Sequence, residues 1–272
     1  MVKVWYENYP STWKSFFEKP SIVETLRIVH EQIKNLSYYP DPELILETFR
    51  RVGPEDVRVV IVGQDPYKDR RNAIGVPFAI PEDRYLTPTL LNIWRCLKVP
   101  VTEEDVDVKS LEQWSNEGVF LLNAALTVPT NYEERNHHDL WRGFTILLLN
   151  HMVENCKKLK VEIFWGELAK TLASDDVLLK PSSILMLSHC HPAERSERFH
   201  RCKNFVECNR YLVSKNLDAV SWIPGESREE ATQKAIREYE SRKKKGKTKI
   251  LDDDDDNIET NADSDNDESE DD

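Results

Sequence analysis

The chain has 272 residues, 39% of them hydrophobic, which is ordinary for a globular protein and enough for one sizeable α/β domain with appendages. No apolar run approaches the roughly 20 residues of a membrane-spanning helix, so no membrane partner is expected. The net charge of −12 is concentrated: residues 251–272 carry 13 Asp and Glu and no Lys or Arg, which leaves 36 acids against 37 bases over residues 1–250, a nearly neutral body whose overall field excludes no partner that is bound through a local patch.

In chain order, Ile22, Leu26, Val29, Ile33 and Leu36 recur at helical spacing and predict a packed helix over 21–36. Four short apolar runs predict strands: Val57–Val62, Val119–Leu122, Val161–Trp165 and Ile184–Leu187. They are nearly continuous in apolar character, as strands covered on both faces are. Leu140, Phe144, Leu147, Leu148 and Val153 predict a helix from about Leu140 to Val153, and Cys202, Phe205, Val206 and Leu212 another from about Phe199 to Val213. Strands alternating with helices give an α/β fold with a central, short, mainly parallel four-stranded sheet flanked by helices. After Trp222 the composition turns polar. Residues 1–225 are read as the folded domain, 226–250 as a charged, basic extension in which 226–245 are expected to form a solvent-exposed helix, and 251–272 as an acidic tail that cannot bury enough apolar surface to fold alone.

In open parallel sheets ligands bind beyond the carboxyl ends of the strands. The four runs lead, in order, into Gly63-Gln64-Asp65-Pro66-Tyr67, Asn123-Ala124-Ala125-Leu126-Thr127, Gly166-Glu167 and Ser188-His189-Cys190-His191-Pro192. One carboxylate, one amide and one or two imidazoles should converge on one rim. Taken singly, each of these residues is accounted for as well by a turn or cap. Phosphate loops and the GxSxG elbow are missing. His189, Cys190, His191, His200 and Cys202 invite a metal, but Pro192 marks a turn and no second pair has zinc spacing, so no metal is expected. The five cysteines form no CxxC pair and favour reduced thiols in an intracellular protein, and Met1–Glu7 opens no apolar leader.

Gly63-Gln64-Asp65-Pro66-Tyr67, Gly75-Val76-Pro77-Phe78, the run from Gly118 to Val128 and His191-Pro192 resemble, in order and spacing, four motifs of family-1 uracil-DNA glycosylases. The resemblance covers roughly Trp13 to Trp222. It implies a monofunctional N-glycosyl hydrolase of base excision repair that flips deoxyuridine out of single- or double-stranded DNA, releases uracil and leaves an abasic site, with no cofactor. It implies that Asp65 orients a water and stabilises positive charge on the sugar, and that His191 donates a hydrogen bond to uracil O2. By the same resemblance Asn123 reads the base edge, Tyr67 blocks a C5 methyl, Phe78 stacks under the base and Gln64 offers its backbone N–H to O2. Pro88, Thr89, Gly166 and Arg195 fall at DNA-contacting positions.

Departures cluster in the DNA clamp. Lys68 stands where the family has His, Ile74 where it has a polar residue, and Glu167 where it has Ser, placing a carboxylate towards a phosphate. Arg195 stands where the family has the Leu that wedges into the base stack. A stacked guanidinium and a solvated surface charge are both open for it. The altered clamp motivates an alternative, a glycosylase-like DNA-binding or replication-assembly subunit with weak or no catalysis; Asp65, Asn123 and His191 argue against it. A small-molecule hydrolase would have only Ser188, without elbow glycines. The basic run Arg242–Lys249 reads as a nuclear import signal, a DNA-contacting arm or a solvated helix end, so nuclear and cytoplasmic locations are both accommodated, and the extension is a candidate site for replication or repair proteins. If Arg195 is a wedge, Arg195→Ala will slow uracil release from duplex more than from single-stranded oligonucleotide; equal losses contradict the wedge.

Overall fold

The computed structural model describes residues 4–102, 105, 107–131, 136–194 and 198–248. Arg195, Lys249 and the acidic tail lie outside the described residues. Four strands form one sheet: β1 (Val59–Gly63), β2 (Val119–Asn123), β3 (Val161–Trp165) and β4 (Leu185–His189), in the order β2-β1-β3-β4, every neighbour parallel. All four expected strands form. The third keeps its expected bounds, and those of the other three move by one or two residues towards the carboxyl end, because the parallel ladder continues into polar residues that an apolar run does not reveal. Gly63 pairs with Asn123 and Trp165 with His189.

β1, β2 and β3 are buried throughout, and β4, at the edge, is partly exposed. Val60, Val62, Phe120, Leu122 and Phe164 join one core; Val59, Ile61, Val119, Leu121, Val161, Ile163 and Trp165 join the other. Strand side chains alternate between faces, so a sheet covered on both sides needs apolar residues at every position. Six helices of eight or more residues occur among the described residues: α1 (Pro20–Ile33), α2 (Pro88–Leu97), α3 (His138–Asn155), α4 (Glu167–Ser174), α5 (Asn204–Ser214) and α6 (Arg228–Thr248). No helix among the described residues is long and apolar enough to cross a membrane.

α1 buries Ile22, Leu26, Val29 and Ile33 and stops there, leaving Leu36 beyond its end and exposed. α3 starts two residues before the expected Leu140. The segment expected as one helix from Phe199 divides into a 3-10 turn (Arg198–Arg201) and α5. α2 was not among the expected helices, although Leu90, Ile93, Trp94 and Leu97 stand at helical spacing; Thr87 caps it by accepting from Leu90 N at 3.3 Å, with Pro88 in its first turn. The helix expected after residue 226 forms as α6, and it is not wholly solvent-exposed: Ala231 and Ala235 are buried in a small cluster with Ala219, against which Val213 of α5 packs. Small side chains let two helices approach closely, which a count of charges hides.

Buried indoles are nearly all paired. Trp13 donates to Val52 O (2.9 Å), Trp94 to Val108 O (3.1 Å), Trp114 to Trp222 O (2.9 Å) and Trp165 to Asn204 Oδ1 (3.0 Å). Glu162 is the exception among carboxylates. It sits fully buried in β3 on the face shared with Phe164, between Val60 and Met186, and neither oxygen has a hydrogen-bond partner among the described residues. Burial pushes its carboxyl up from 4.5 to about 8. Between those values the folded protein holds a proton that the unfolded chain has released. The stability the neutral carboxyl allows is therefore complete below about pH 4.5 and declines as pH rises towards 8. Glu162→Gln removes the titration, so its gain in Tm over the parent should grow from pH 5 to pH 8 by thermal denaturation; a gain independent of pH contradicts the buried, neutral carboxyl.

Candidate active site

Hydrogen bonding continues one step past the sheet. Ala124 N donates to Gly63 O and Ala125 N to Gln64 O, both at 3.0 Å, and Gly166 N donates to His189 O at 2.9 Å. The segments leaving β1 and β2 are thus held together, as are those leaving β3 and β4. A cavity of about 320 Å³ opens over these ends. Gln64, Asp65, Tyr67, Phe78, Asn123 and His191 all line it. Thr89 lines it too and is buried, whereas Pro88 is exposed at the start of α2. Gly166 packs beneath the rim: a Cβ there would lie 2.3 Å from Gln64 Nε2 and 3.0 Å from His191 Cβ.

Gly63 makes room for the floor. A Cβ on it would meet Phe78 Cζ at 2.6 Å and Asn123 Oδ1 at 2.9 Å. Phe78 has φ +67°, a left-handed conformation uncommon for a bulky side chain. It is held by Tyr67, whose hydroxyl donates to Phe78 O at 2.8 Å and takes a bond from Thr87 Oγ1 at 2.9 Å. Burial of that phenol pushes it up to about 12, so it stays a neutral donor. The Phe78 ring lies edge-on to Trp165 (5.4 Å between centroids) and tilted to His191 (6.0 Å). Asn123, 8% exposed, closes β2, and among the described residues its amide has no hydrogen-bond partner, so an acceptor and two donors are open to the cavity.

His191 is pushed down to about 4 by burial, with Asp65 opposing the shift. It is therefore neutral at ordinary pH. Ala193 N donates to its Nδ1 at 3.1 Å, which makes Nδ1 the acceptor and leaves the single proton on Nε2. The loop is tied to α2: Asn92 Nδ2 donates to Pro192 O at 2.7 Å, and Asn92 Oδ1 meets His200 Nε2 at 2.9 Å. His189 sits against Cys190 Sγ at 3.2 Å. Asp65 is about a quarter exposed, and its Oδ2 lies 3.7 Å from His138 Nε2. Glu167 points to solvent and pairs with Lys170 at 2.8 Å, which answers part of the charge that the sequence places near a phosphate. Asn92 and His138 carry no signal in the sequence. Asn92 matters through a loop 100 residues away in the chain, and His138 through where α3 begins.

The profile of the uracil DNA glycosylase superfamily matches residues 50–213. The uracil-DNA glycosylase of Francisella tularensis subsp. tularensis is 32% identical over 220 residues, covering 78% of this chain and 98% of that protein. The uracil-DNA glycosylase of Campylobacter hominis is 28% identical over 218 residues, covering 79% and 91%. Among solved structures, the mimivirus uracil-DNA glycosylase aligns with a TM-score of 0.64 at 22% identity, covering 79% of this chain and 87% of that one, a likeness of fold.

A methyl group at Gly63 would displace Phe78, Asn123 or both, an overpacking cost of about 1–3 kcal/mol. Gly63→Ala should leave the protein folded by circular dichroism and slow uracil release at least about tenfold; parent-like release would mean that the floor is not held as described.

Proposed function

The chain belongs to the uracil DNA glycosylase superfamily, and on that premise we propose how its cavity excises uracil as a family-1 member. The protein is a uracil-DNA glycosylase: it hydrolyses the bond between uracil N1 and the deoxyribose C1′ of DNA and leaves an abasic site. One observation carries the division of labour. Asp65, Asn123 and a neutral His191 with its proton on Nε2 line the same cavity.

As the glycosidic bond breaks, the sugar gains positive charge and uracil departs as an anion. Asp65 faces the first charge and orients the water that attacks C1′. His191 faces the second. Its Nε2–H donates to uracil O2, and the bond strengthens as negative charge gathers there, so stabilisation is greatest in the transition state. A neutral imidazole suits this position, because a buried imidazolium would pair with Asp65 and neutralise the carboxylate. The backbone N–H of Gln64 adds a second donor to O2.

Asn123 accepts from uracil N3–H and donates to O4; cytosine offers the reverse pattern and would leave the amide unpaired. Tyr67 fills the space beside C5, and its two hydroxyl bonds keep it from yielding to a thymine methyl. Phe78 supplies the stacking surface under the flipped base, which helps offset the cost of unstacking. Pro88, Thr89, Gly166 and Arg195 meet the flanking DNA. The reading as a non-catalytic subunit gains nothing from the altered clamp, since the groups that act on the base share one cavity.

Uracil release from single-stranded and duplex oligonucleotides tests the assignment. Asp65→Asn should slow it by about 10²–10⁴-fold with DNA binding kept; unchanged release contradicts the role of Asp65. Since His191 works neutral and gains a proton only near pH 4, its contribution should not change between pH 8 and pH 5.5. A rate that climbs on acidification through pH 6.5 would mean that an imidazolium does the work.

A further inference from the structure

We propose that His138, the first residue of α3, is a positioning residue that shares the attacking water with Asp65. The proposal rests on the cavity's being the site of uracil excision. Three observations lead to it. His138 Nε2 lies 3.7 Å from Asp65 Oδ2. Both ring nitrogens are shielded from solvent, and neither has a hydrogen-bond partner among the described residues. The start of α3 is pinned: Thr127 Oγ1 meets His137 Nδ1 at 2.8 Å and accepts from Trp141 Nε1 at 2.7 Å.

Thr127 belongs to the segment that leaves β2 only four residues after Asn123, and that segment is tied back by the pairing of Tyr38–Tyr39 with Val128–Pro129. The anchoring therefore runs from the sheet end, through Thr127, to the first turn of α3. It leaves one imidazole with unspent hydrogen-bonding capacity beside the carboxylate. A separation of 3.7 Å is too long for a direct hydrogen bond. It is short enough for one water to lie about 2.8 Å from both groups. Buried polar groups are matched by partners in nearly all folded proteins, so an unmatched imidazole beside a reacting carboxylate has a partner in the working enzyme.

A carboxylate alone holds a water by one hydrogen and leaves it free to swing. A second contact from His138 fixes the direction of the oxygen lone pair. In the chemical step the water oxygen bonds to C1′ while the C1′–N1 bond breaks and its electron pair stays on uracil. The water's proton passes to Asp65 and on to solvent. His138 exchanges no proton in this sequence; it sets the geometry from which the water attacks.

The test is single-turnover uracil release from a single-stranded oligonucleotide with enzyme in excess, for the parent, His138→Leu, His138→Gln, Asp65→Asn and the Asp65→Asn/His138→Leu double variant. Glutamine places an amide near the Nε2 position, and leucine keeps bulk without polarity. His138→Leu should slow the chemical step up to about 100-fold, with KM and inhibition by free uracil within about twofold. His138→Gln should recover to within about fivefold of the parent. The double variant should be no slower than Asp65→Asn, because both residues act on one water. A parent-like rate in His138→Leu, equal slowing in the leucine and glutamine variants, or additive losses in the double variant would each overturn the proposal. An inactive parent would overturn the excision reading beneath it, which separates the two failures.

Discussion

The site depends on backbone hydrogen bonds made just past the ends of the strands. Four parallel strands ending on one level bring four loops near one another, but loops alone would not hold side chains to a fraction of an ångström. Ala124 and Ala125 donating to Gly63 and Gln64, and Gly166 donating to His189, carry the order of the sheet into those loops. The donors are main-chain groups, so the arrangement is insensitive to side-chain motion. Two glycines complete it: Gly63 leaves room for Phe78 and Asn123, and Gly166 holds φ +95°, a conformation that strains any residue with a Cβ.

Exclusion of water from that junction then sets the chemistry. It pushes His191 down to about 4 and Tyr67 up to about 12, so both are neutral donors at ordinary pH. Asp65, about a quarter exposed, lies at the wetter edge where water enters. One gradient of burial across a single cavity thus separates the wetter Asp65 from the neutral, buried His191 and Tyr67. The same exclusion of water, deeper in β3, gives Glu162 a value of about 8 without any evident catalytic use.

Much of this was legible in the sequence because the sheet is buried on both faces. Val59–Gly63, Val119–Asn123 and Val161–Trp165 show as apolar runs; Gln64, Asp65 and Asn123 at the ends of the first two line the cavity, as does His191 after the fourth strand, whereas Glu167 after the third points to solvent. Even Glu162 did not hide its strand. What escaped was whatever depends on distant pairing. α2 is announced by Thr87 and Pro88, a cap and a first-turn proline, yet its link to the His191 loop is made by the polar Asn92, whose partner Pro192 lies 100 residues away in the chain. His138 has no motif around it and reaches Asp65 because Thr127 fixes the turn before it. The charged composition of α6 masked the two alanines that dock it.

The central claim is that a neutral His191, protonated on Nε2, stabilises the departing uracil anion. Its most direct test is nitrogen-15 NMR of the imidazoles during a pH titration, with His191→Gln to assign the signal. The account predicts the Nε2–H tautomer throughout, with no titration above about pH 5, both with and without bound uracil. A His191 that titrates near pH 6.5, or that carries its proton on Nδ1, would contradict it.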